Sequence, residues 1–102
     1  MATKLVATDA EVPPDSVTRV EIDGSVICLV RTPDGSLHAV ADACSHEGAS
    51  LSEGELFESN IECAMHGSLF DLRTGAARGL PATDPIRTYR VFVDEDAIYI
   101  EI

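Results

Sequence analysis

Four residues in two short runs can together bind one metal centre. Cys44 and His46 lie in the run C-S-H. Cys63 and His66 lie in the run C-A-M-H, and sixteen residues separate the two runs. Each run supplies one thiolate and one imidazole, a mixture that suits zinc or an iron–sulfur cluster. Zinc fingers usually open with two cysteines close together, whereas a [2Fe–2S] centre with two histidines in place of two cysteines needs this set.

The sequence around these residues resembles the Rieske family. The run C-S-H-E-G at 44–48 is similar to the family's first cluster-binding loop, and C-A-M-H-G-S-L-F-D at 63–71 is similar to its second. The run R-T-G at 73–75 is similar to the end of that second loop, and G-L-P-A at 79–82 to the third, proline-bearing loop. We therefore expect a first loop over 43–51, a second over 63–71 and a third over 79–85.

The resemblance implies one [2Fe–2S] cluster, with both cysteines on one iron and both histidines on the other. Ser68 follows the second histidine by two residues, where its hydroxyl can reach a cluster sulfide. Pro81 lies in the third loop, where it either shields the cluster or only stiffens the loop.

The resemblance also implies a low reduction potential for a centre of this type. High-potential members carry a tyrosine that bonds a ligand sulfur, and this chain has Phe70 at that position. Those members also join the two cluster loops by a disulfide, but here the loops carry Ala49, Ala64 and Met65 instead of further cysteines. Without these two features, and with acidic residues around the loops, an added electron is less stabilised.

The composition predicts one small globular domain over residues 1–102. The chain is 45% hydrophobic, and it contains no apolar run long enough to cross a membrane. Its first residues lack the apolar core and cleavage site of a secretory signal, so we expect a cytoplasmic protein. We also expect it to be a monomer in solution. Cys28, in the run V-I-C-L-V, has no evident partner and is predicted to be a buried free thiol.

The charge distribution is strongly acidic and uneven. The formal net charge is −11, from 18 acidic and 7 basic residues, which argues against nucleic acid as a partner. Six acidic residues and no lysine or arginine lie between Asp42 and Glu62, inclusive. This acidic stretch is either a solvated face or a docking surface for a partner with a basic patch.

Short apolar runs separated by proline, glycine and aspartate turns predict an all-β fold. The predicted strands are 4–8, 17–22, 25–31, 37–41, 86–93 and 97–102, with short strands at 61–62 and 69–72 flanking the second loop. We expect a small antiparallel sandwich or barrel into which a cluster-binding subdomain of β-hairpin loops is inserted. The Rieske resemblance implies the same fold.

The sequence favours electron transfer over catalysis. No nucleophile–base pair is evident, and the one remaining histidine, His38, is predicted to be an ordinary surface residue rather than a ligand. The chain resembles most the Rieske-type ferredoxins of bacterial multicomponent aromatic-ring dioxygenases. That resemblance implies two partners: an FAD-containing ferredoxin reductase and a terminal oxygenase with a Rieske centre and non-haem iron. The alternatives are the Rieske-like small subunit of an assimilatory nitrite reductase and a structural zinc-binding interaction module.

Overall fold

The computed structural model describes residues 3–43, 50–63, 67–78 and 84–102. Within these ranges the chain forms ten β-strands and two single-turn 3₁₀ helices, at Asp9–Glu11 and Leu51–Glu53. The strands are β1 (Thr3–Thr8), β2 (Ser16–Ile22), β3 (Ser25–Arg31), β4 (Leu37–Ala41), β5 (Glu55–Phe57), β6 (Asn60–Glu62), β7 (Leu69–Asp71), β8 (Thr88–Tyr89), β9 (Val91–Asp94) and β10 (Ala97–Glu101).

The strands form three antiparallel sheets. Two of them make the base of the molecule, with strand orders β1-β10-β9 and β2-β3-β4-β8. The third sheet, β5-β6-β7, is inserted in the chain between β4 and β8. The all-β fold and the inserted subdomain are thus confirmed. None of the helices among the described residues is long and apolar enough to cross a membrane.

Strand β3 lies at the centre of the packing because both of its faces are buried. Ile27 and Leu29 point into a core shared with β10, where Ile98 and Ile100 are fully buried. Cys28 and Val30 point the opposite way, into a second core that includes residues of the inserted sheet. Successive side chains of a strand alternate between faces, so a strand buried on both sides reads as a continuous apolar run.

Most of the predicted strands are confirmed. Strands β3 and β4 have the predicted bounds, and β1, β2 and β10 differ from prediction by one residue at one end. The hairpin turn between β2 and β3 is made by Asp23 and Gly24, both with positive φ, as expected of a two-residue hairpin loop.

The predicted strand over 86–93 is wrong as a single element. The structure has two strands there, β8 and β9, which belong to different sheets. β8 pairs with β4, and after Arg90 the chain continues as β9, which pairs with β10. An alternating apolar pattern fits both strands equally well, so it does not reveal the point at which the chain changes sheets.

Strand β5 was missed because its three residues, Glu55–Phe57, carry no clear alternation. The turn before it depends on Gly54. A Cβ added at Gly54 would lie 1.7 Å from the carbonyl oxygen of Glu62 on β6. Because φ of Gly54 is an ordinary −88°, this glycine is required by close contact and not by backbone conformation.

We expect Gly54→Ala to lower the free energy of unfolding by roughly 3 kcal/mol, because the new methyl group forces β5 away from β6. Urea unfolding followed by circular dichroism measures this change. Gly24→Ala is the matched control: its Cβ would meet nothing within 4 Å, and only its φ of +84° is unfavourable. That strain costs about 1 kcal/mol. An equal decrease in the free energy of unfolding in the two variants would contradict the close contact between Gly54 and β6.

Candidate metal centre

The described part of the candidate site is the set of strand ends from which the three loops extend. Of the predicted site residues, the structure describes Cys63 and Ser68. The other four, Cys44, His46, His66 and Pro81, lie outside the described residues.

Asp42 holds the two sides of the first loop together. This aspartate is only 4% exposed. Its carboxylate accepts hydrogen bonds from the Ser50 hydroxyl and, at 2.8 Å, from the backbone N–H of Ser52. Its own carbonyl accepts from the N–H of Leu51 at 2.6 Å. Asp42 lies just before the first loop, and its three partners, Ser50, Leu51 and Ser52, lie where the chain returns from that loop. This one residue therefore closes the loop at its base.

The base of the first loop is also fixed to the base sheets. Ala43 forms an antiparallel bridge with Ser50. The Asp42 N–H donates to the carbonyl of Val26 at 3.1 Å, and its carboxylate lies 3.5 Å from Nε of Arg19. Leu51, at the start of the returning 3₁₀ helix, is fully buried in the core.

The described ends of the second loop, Cys63 on one side and Gly67 and Ser68 on the other, are joined by backbone hydrogen bonds where β6 and β7 end. The N–H of Cys63 donates to the carbonyl of Ser68 at 2.7 Å, and the N–H of Gly67 donates to the carbonyl of Cys63 at 2.9 Å. Gly67 has φ of +72°, a conformation that glycine adopts without strain. Ser68 is fully buried, and Cys63 is 2% exposed and forms no disulfide.

The two loop bases meet in one hydrophobic core. Leu51 from the first loop packs in the same cluster as Cys63 and Phe70 from the second. Each loop carries one cysteine and one histidine, and the described bases of the two loops share this core. A buried thiol with no disulfide partner is compatible with a thiolate ligand. This arrangement fits a metal centre bridging the two loops.

The residues on both sides of the third loop are bonded to β7 or to the turn that follows it. At its start, Ala77 bridges Phe70, and the N–H of Arg78 donates to the carbonyl of Leu69 at 2.7 Å. At its end, the N–H of Ile86 donates to the carbonyl of Gly75 at 2.8 Å. A Cβ on Gly75 would lie 2.0 Å from the Ile86 carbonyl oxygen, so only glycine permits this approach.

A second buried carboxylate, Asp71, lies at this junction. It is 1% exposed and accepts hydrogen bonds from the Arg73 backbone N–H at 2.8 Å and from Nη2 and Nε of Arg78 at 2.8 and 3.1 Å. Burial raises the pKa of Asp71, but the hydrogen bonds from Arg78 and Arg73 outweigh it and lower the pKa to about 2. The carboxylate is therefore ionised at neutral pH.

The two remaining residues singled out in the sequence lie away from the loops. Cys28 is a fully buried free thiol, as predicted, and burial raises its pKa to about 12, with a further contribution from Asp42. His38 was predicted to be an ordinary surface residue but is half-buried. It lines a cleft of about 660 Å³ that Asp34 and Arg73 also border, and burial lowers its pKa.

Sequence reasoning missed Asp42 and Asp71 as structural groups of the site. The sequence analysis placed Asp42 only in the acidic stretch, and it named Asp71 only as the last residue of the run at 63–71. A signal was present: Asp42 immediately follows β4 and Asp71 is the last residue of β7, so each lies at a strand end beside a predicted loop. A short carboxylate at such a place can accept backbone N–H bonds. What the sequence could not show is that both are buried.

Comparison with known proteins gives the family. Residues 2–90 match the model of the Rieske [2Fe-2S] domain. The chain is 42% identical, over 103 aligned residues, to the 3-phenylpropionate/cinnamic acid dioxygenase ferredoxin subunit of Photorhabdus laumondii. The alignment covers 100% of this chain and 96% of that relative.

Solved structures give the same result for the fold. The ferredoxin of carbazole 1,9a-dioxygenase from Nocardioides aromaticivorans IC177 superposes with a TM-score of 0.91 at 38% identity, covering 98% of this chain and 97% of that one. A chain in a complex of reduced oxygenase and oxidised ferredoxin in carbazole 1,9a-dioxygenase superposes with a TM-score of 0.89 at 33% identity, covering 96% and 91%.

We expect Asp42→Ala to open the base of the first loop. The substitution removes the acceptor for Ser50 and Ser52, which costs about 2 kcal/mol and exposes the neighbouring amides. Native-state hydrogen exchange at Leu51 and Ser52 should accelerate. Asp34→Ala is the matched control, because Asp34 accepts similar bonds from Thr32 and Ser36 in the β3–β4 turn. Faster exchange at Leu51 in the control as well would show that the effect is global destabilisation.

The lowered pKa of Asp71 predicts a defined acid sensitivity. Because its folded-state pKa is about 2 and its unfolded pKa is about 3.9, the ionised carboxylate stabilises the fold above about pH 4. That contribution is lost as the pH falls from about 4 to about 2. The difference in unfolding free energy between the wild type and Asp71→Asn should therefore shrink over this window. Urea unfolding at each pH measures this difference in unfolding free energy. A difference that stays constant with pH would contradict the lowered pKa of Asp71.

Proposed function

Because the chain belongs to the Rieske [2Fe-2S] domain family, we propose that it is the electron-transfer ferredoxin of a bacterial multicomponent dioxygenase that acts on aromatic compounds. The observation that carries this proposal is the 42% identity to a dioxygenase ferredoxin subunit across the whole of this chain. That relative is named as the ferredoxin component of its dioxygenase. The chain accordingly carries electrons and does not itself oxidise the aromatic substrate.

The four residues of the two Cys/His runs hold the cluster. Cys44 and Cys63 bind one iron, and His46 and His66 bind the other. The described surroundings of Cys63 support this assignment, because its thiol is buried beside the core that also holds the base of the first loop. Imidazole edges can reach the surface while the thiolates remain inside, so the histidines form the port through which electrons enter and leave.

A [2Fe–2S] cluster held by these residues would supply one-electron transfer. Several side chains then determine how readily the added negative charge is accommodated. Phe70 is fully buried and has no hydroxyl to donate to a sulfur, which disfavours reduction. We assign Ser68, which is also fully buried, as the residue whose hydroxyl donates to a cluster sulfide, and Pro81 of the third loop as the shielding residue. The resulting potential lies at the low end of the range for histidine-ligated centres.

The acidic residues next to the second loop provide a docking surface for basic partners. Glu55 lies directly opposite Glu62 in the β5–β6 ladder, and Glu62 immediately precedes Cys63. Like charges directly opposite each other in a ladder are destabilising. A partner with arginine or lysine at this position would relieve the repulsion, and its opposite charge would increase the association rate.

The partners follow from the place of such a ferredoxin in a dioxygenase system. An FAD-containing ferredoxin reductase supplies the electrons, and a terminal oxygenase with a Rieske centre and non-haem iron receives them. The similarity to a chain in the complex of reduced oxygenase and oxidised ferredoxin supports the second partner. The protein works as a cytoplasmic monomer, since a carrier must leave one partner before it meets the other. The names of the ferredoxin relatives reported above favour this function over the nitrite reductase and zinc-module alternatives.

The test is optical and EPR spectroscopy of the purified protein before and after anaerobic reduction. We expect a red-brown protein that bleaches on reduction and gives a rhombic signal from a nitrogen-ligated [2Fe–2S]⁺ centre. His66→Cys should retain some cluster and lower its midpoint potential by about 100 mV or more, because a thiolate adds negative charge. The potential is measured by protein-film voltammetry.

His38→Cys is the matched control for this variant, because it introduces a cysteine at a histidine outside the loops. Its potential should equal that of the wild type. An unchanged potential in His66→Cys would overturn the ligand assignment. A colourless protein that contains zinc and resists iron reconstitution would overturn the electron-transfer function itself.

A further inference from the structure

A cleft of about 660 Å³ lies between the base of the molecule and the inserted sheet. One wall is the turn between β3 and β4, and the opposite wall is the turn between β5 and β6. The polar side chains that border the cleft include Asp34, Ser36, His38, Glu58, Ser59 and Arg73. Its volume falls within the range of ligand-binding pockets in proteins.

The cleft lies at the end of the strands that is remote from the loop bases. β4 passes the cleft at His38 and then leads to Asp42, at the base of the first loop. β6 begins just after Ser59, which lines the cleft, and leads to Cys63. The four residues from Ser59 to Cys63 span about 13 Å along a strand. A molecule bound in the cleft would therefore leave the described loop bases free.

Two exposed carboxylates, Asp34 and Glu58, face the cleft from opposite walls. Hydrogen bonds from the Thr32 hydroxyl and from Ser36 hold the Asp34 carboxylate in place and lower its pKa to about 2. Asp34 is therefore ionised at neutral pH, and it forms no ion pair with another described residue. The Glu58 side chain forms neither an ion pair nor a hydrogen bond within the described part of the chain. Both carboxylates are thus available to a ligand.

The balance of charge around the cleft favours a cationic ligand. Arg73 also borders the cleft, but its Nε lies 3.5 Å from Oδ1 of Asp71, which compensates part of its charge. His38 is half-buried, and burial lowers its pKa, so its imidazole is neutral at pH 7. The carboxylates that line the cleft therefore outnumber its charged bases by two to one. Such a site attracts a cation and repels an anion.

An exposed aromatic ring beside the cleft indicates that the ligand belongs to a protein. Phe57 immediately precedes Glu58 and is 61% exposed. Its neighbour Leu56 packs against the core, so strand alternation places Phe57 on the outer face of the inserted sheet. Aromatic side chains of this kind are common anchors of protein–protein contacts. A small organic cation bound in the cleft would leave the ring exposed, whereas a protein segment would cover it.

We propose that this cleft docks a segment of a partner protein that carries arginine or lysine, with Asp34 and Glu58 pairing with its cations and Phe57 contacting an apolar side chain beside them. The hydroxyls of Ser36 and Ser59 provide hydrogen bonds for the backbone of the segment. Arginine suits the cleft best, because its planar guanidinium offers five donors to carboxylate and hydroxyl acceptors. This docking site goes beyond the proposed electron-transfer function, because it lies away from the loop bases and its test does not involve the cluster.

The test is a titration of the isotope-labelled protein with a blocked tetrapeptide of sequence Arg-Leu-Arg-Gly, followed by the NMR shifts of the backbone amides. Its matched control is Gln-Leu-Gln-Gly, which has the same length and no charge. We expect the arginine peptide to bind about tenfold more tightly at low salt and to shift the amides of Ser36, His38 and Ser59. Equal affinity of the two peptides, or shifts confined to Glu55 and Glu62, would overturn the proposal.

Variants of the two walls test the charge recognition. Glu58→Gln and Asp34→Asn should each weaken binding of the arginine peptide about threefold, as expected for exposed charge pairs. Glu95→Gln is the matched control for Glu58→Gln: both glutamates are exposed, lie in hairpin turns and have positive φ, +57° and +56°. Arg73→Gln should strengthen binding, because it removes a like charge from the cleft. An equal loss of affinity in Glu95→Gln, or weaker binding in Arg73→Gln, would contradict recognition within the cleft.

A final variant separates a protein segment from a small cation. Phe57→Ala should weaken binding of the arginine peptide about threefold and leave binding of ethylguanidinium, which has no apolar neighbour to place on the ring, at the wild-type affinity. Unchanged peptide binding in Phe57→Ala would overturn protein docking in favour of a small organic cation. Thermal unfolding by circular dichroism identifies any variant that fails to fold. If Asp34→Asn fails, the comparison of Glu58→Gln with Glu95→Gln still decides the question.

Discussion

Two buried carboxylates, Asp42 and Asp71, hold the bases of the loops that extend from the sheets of this protein. An ionised carboxylate is costly to bury unless donors surround it. The loops provide those donors: Ser50 and Ser52 bond Asp42, and Arg73 and Arg78 bond Asp71. Folding the loop bases and satisfying the carboxylates are therefore the same event. This coupling anchors the described bases of the loops to the sheets.

The hydrophobic packing adds a second level of support. Strand β3 separates two cores, one between the base sheets and one under the inserted sheet. The second core contains Leu51, Cys63 and Phe70, so the loop bases rest on the same side chains that hold the inserted sheet to the base. When a metal binds residues on two such loops, its binding free energy also stabilises the packing beneath them.

The sequence predicted the elements of this fold better than their connections. β3 and β4 were correctly bounded because turns flank continuous apolar runs, and local turn chemistry is visible in a sequence. The division of 86–93 into two strands in different sheets was not predictable, because pairing partners lie far apart in the chain. The Cys/His motif indicated the candidate site, because cysteine and histidine at such short spacing usually bind a metal. The roles of Asp42 and Asp71 depend on burial, which the acidic composition around them concealed.

Each of the few basic residues of this acidic molecule contacts a particular carboxylate or aromatic ring. Three arginines lie at the two buried carboxylates, and further ion pairs in the described part of the chain are Lys4–Asp23, Arg31–Asp9 and Arg90–Glu101. The seventh basic residue, Arg87, lies over the ring of Tyr89 at 4.5 Å. With 18 acidic residues against 7 basic ones, most carboxylates of the chain are in excess over its cations, and the field around the molecule is negative. Such a field extends about 8 Å from the surface at physiological ionic strength. It favours partners that bring their own cations to the side of the molecule where the loops emerge.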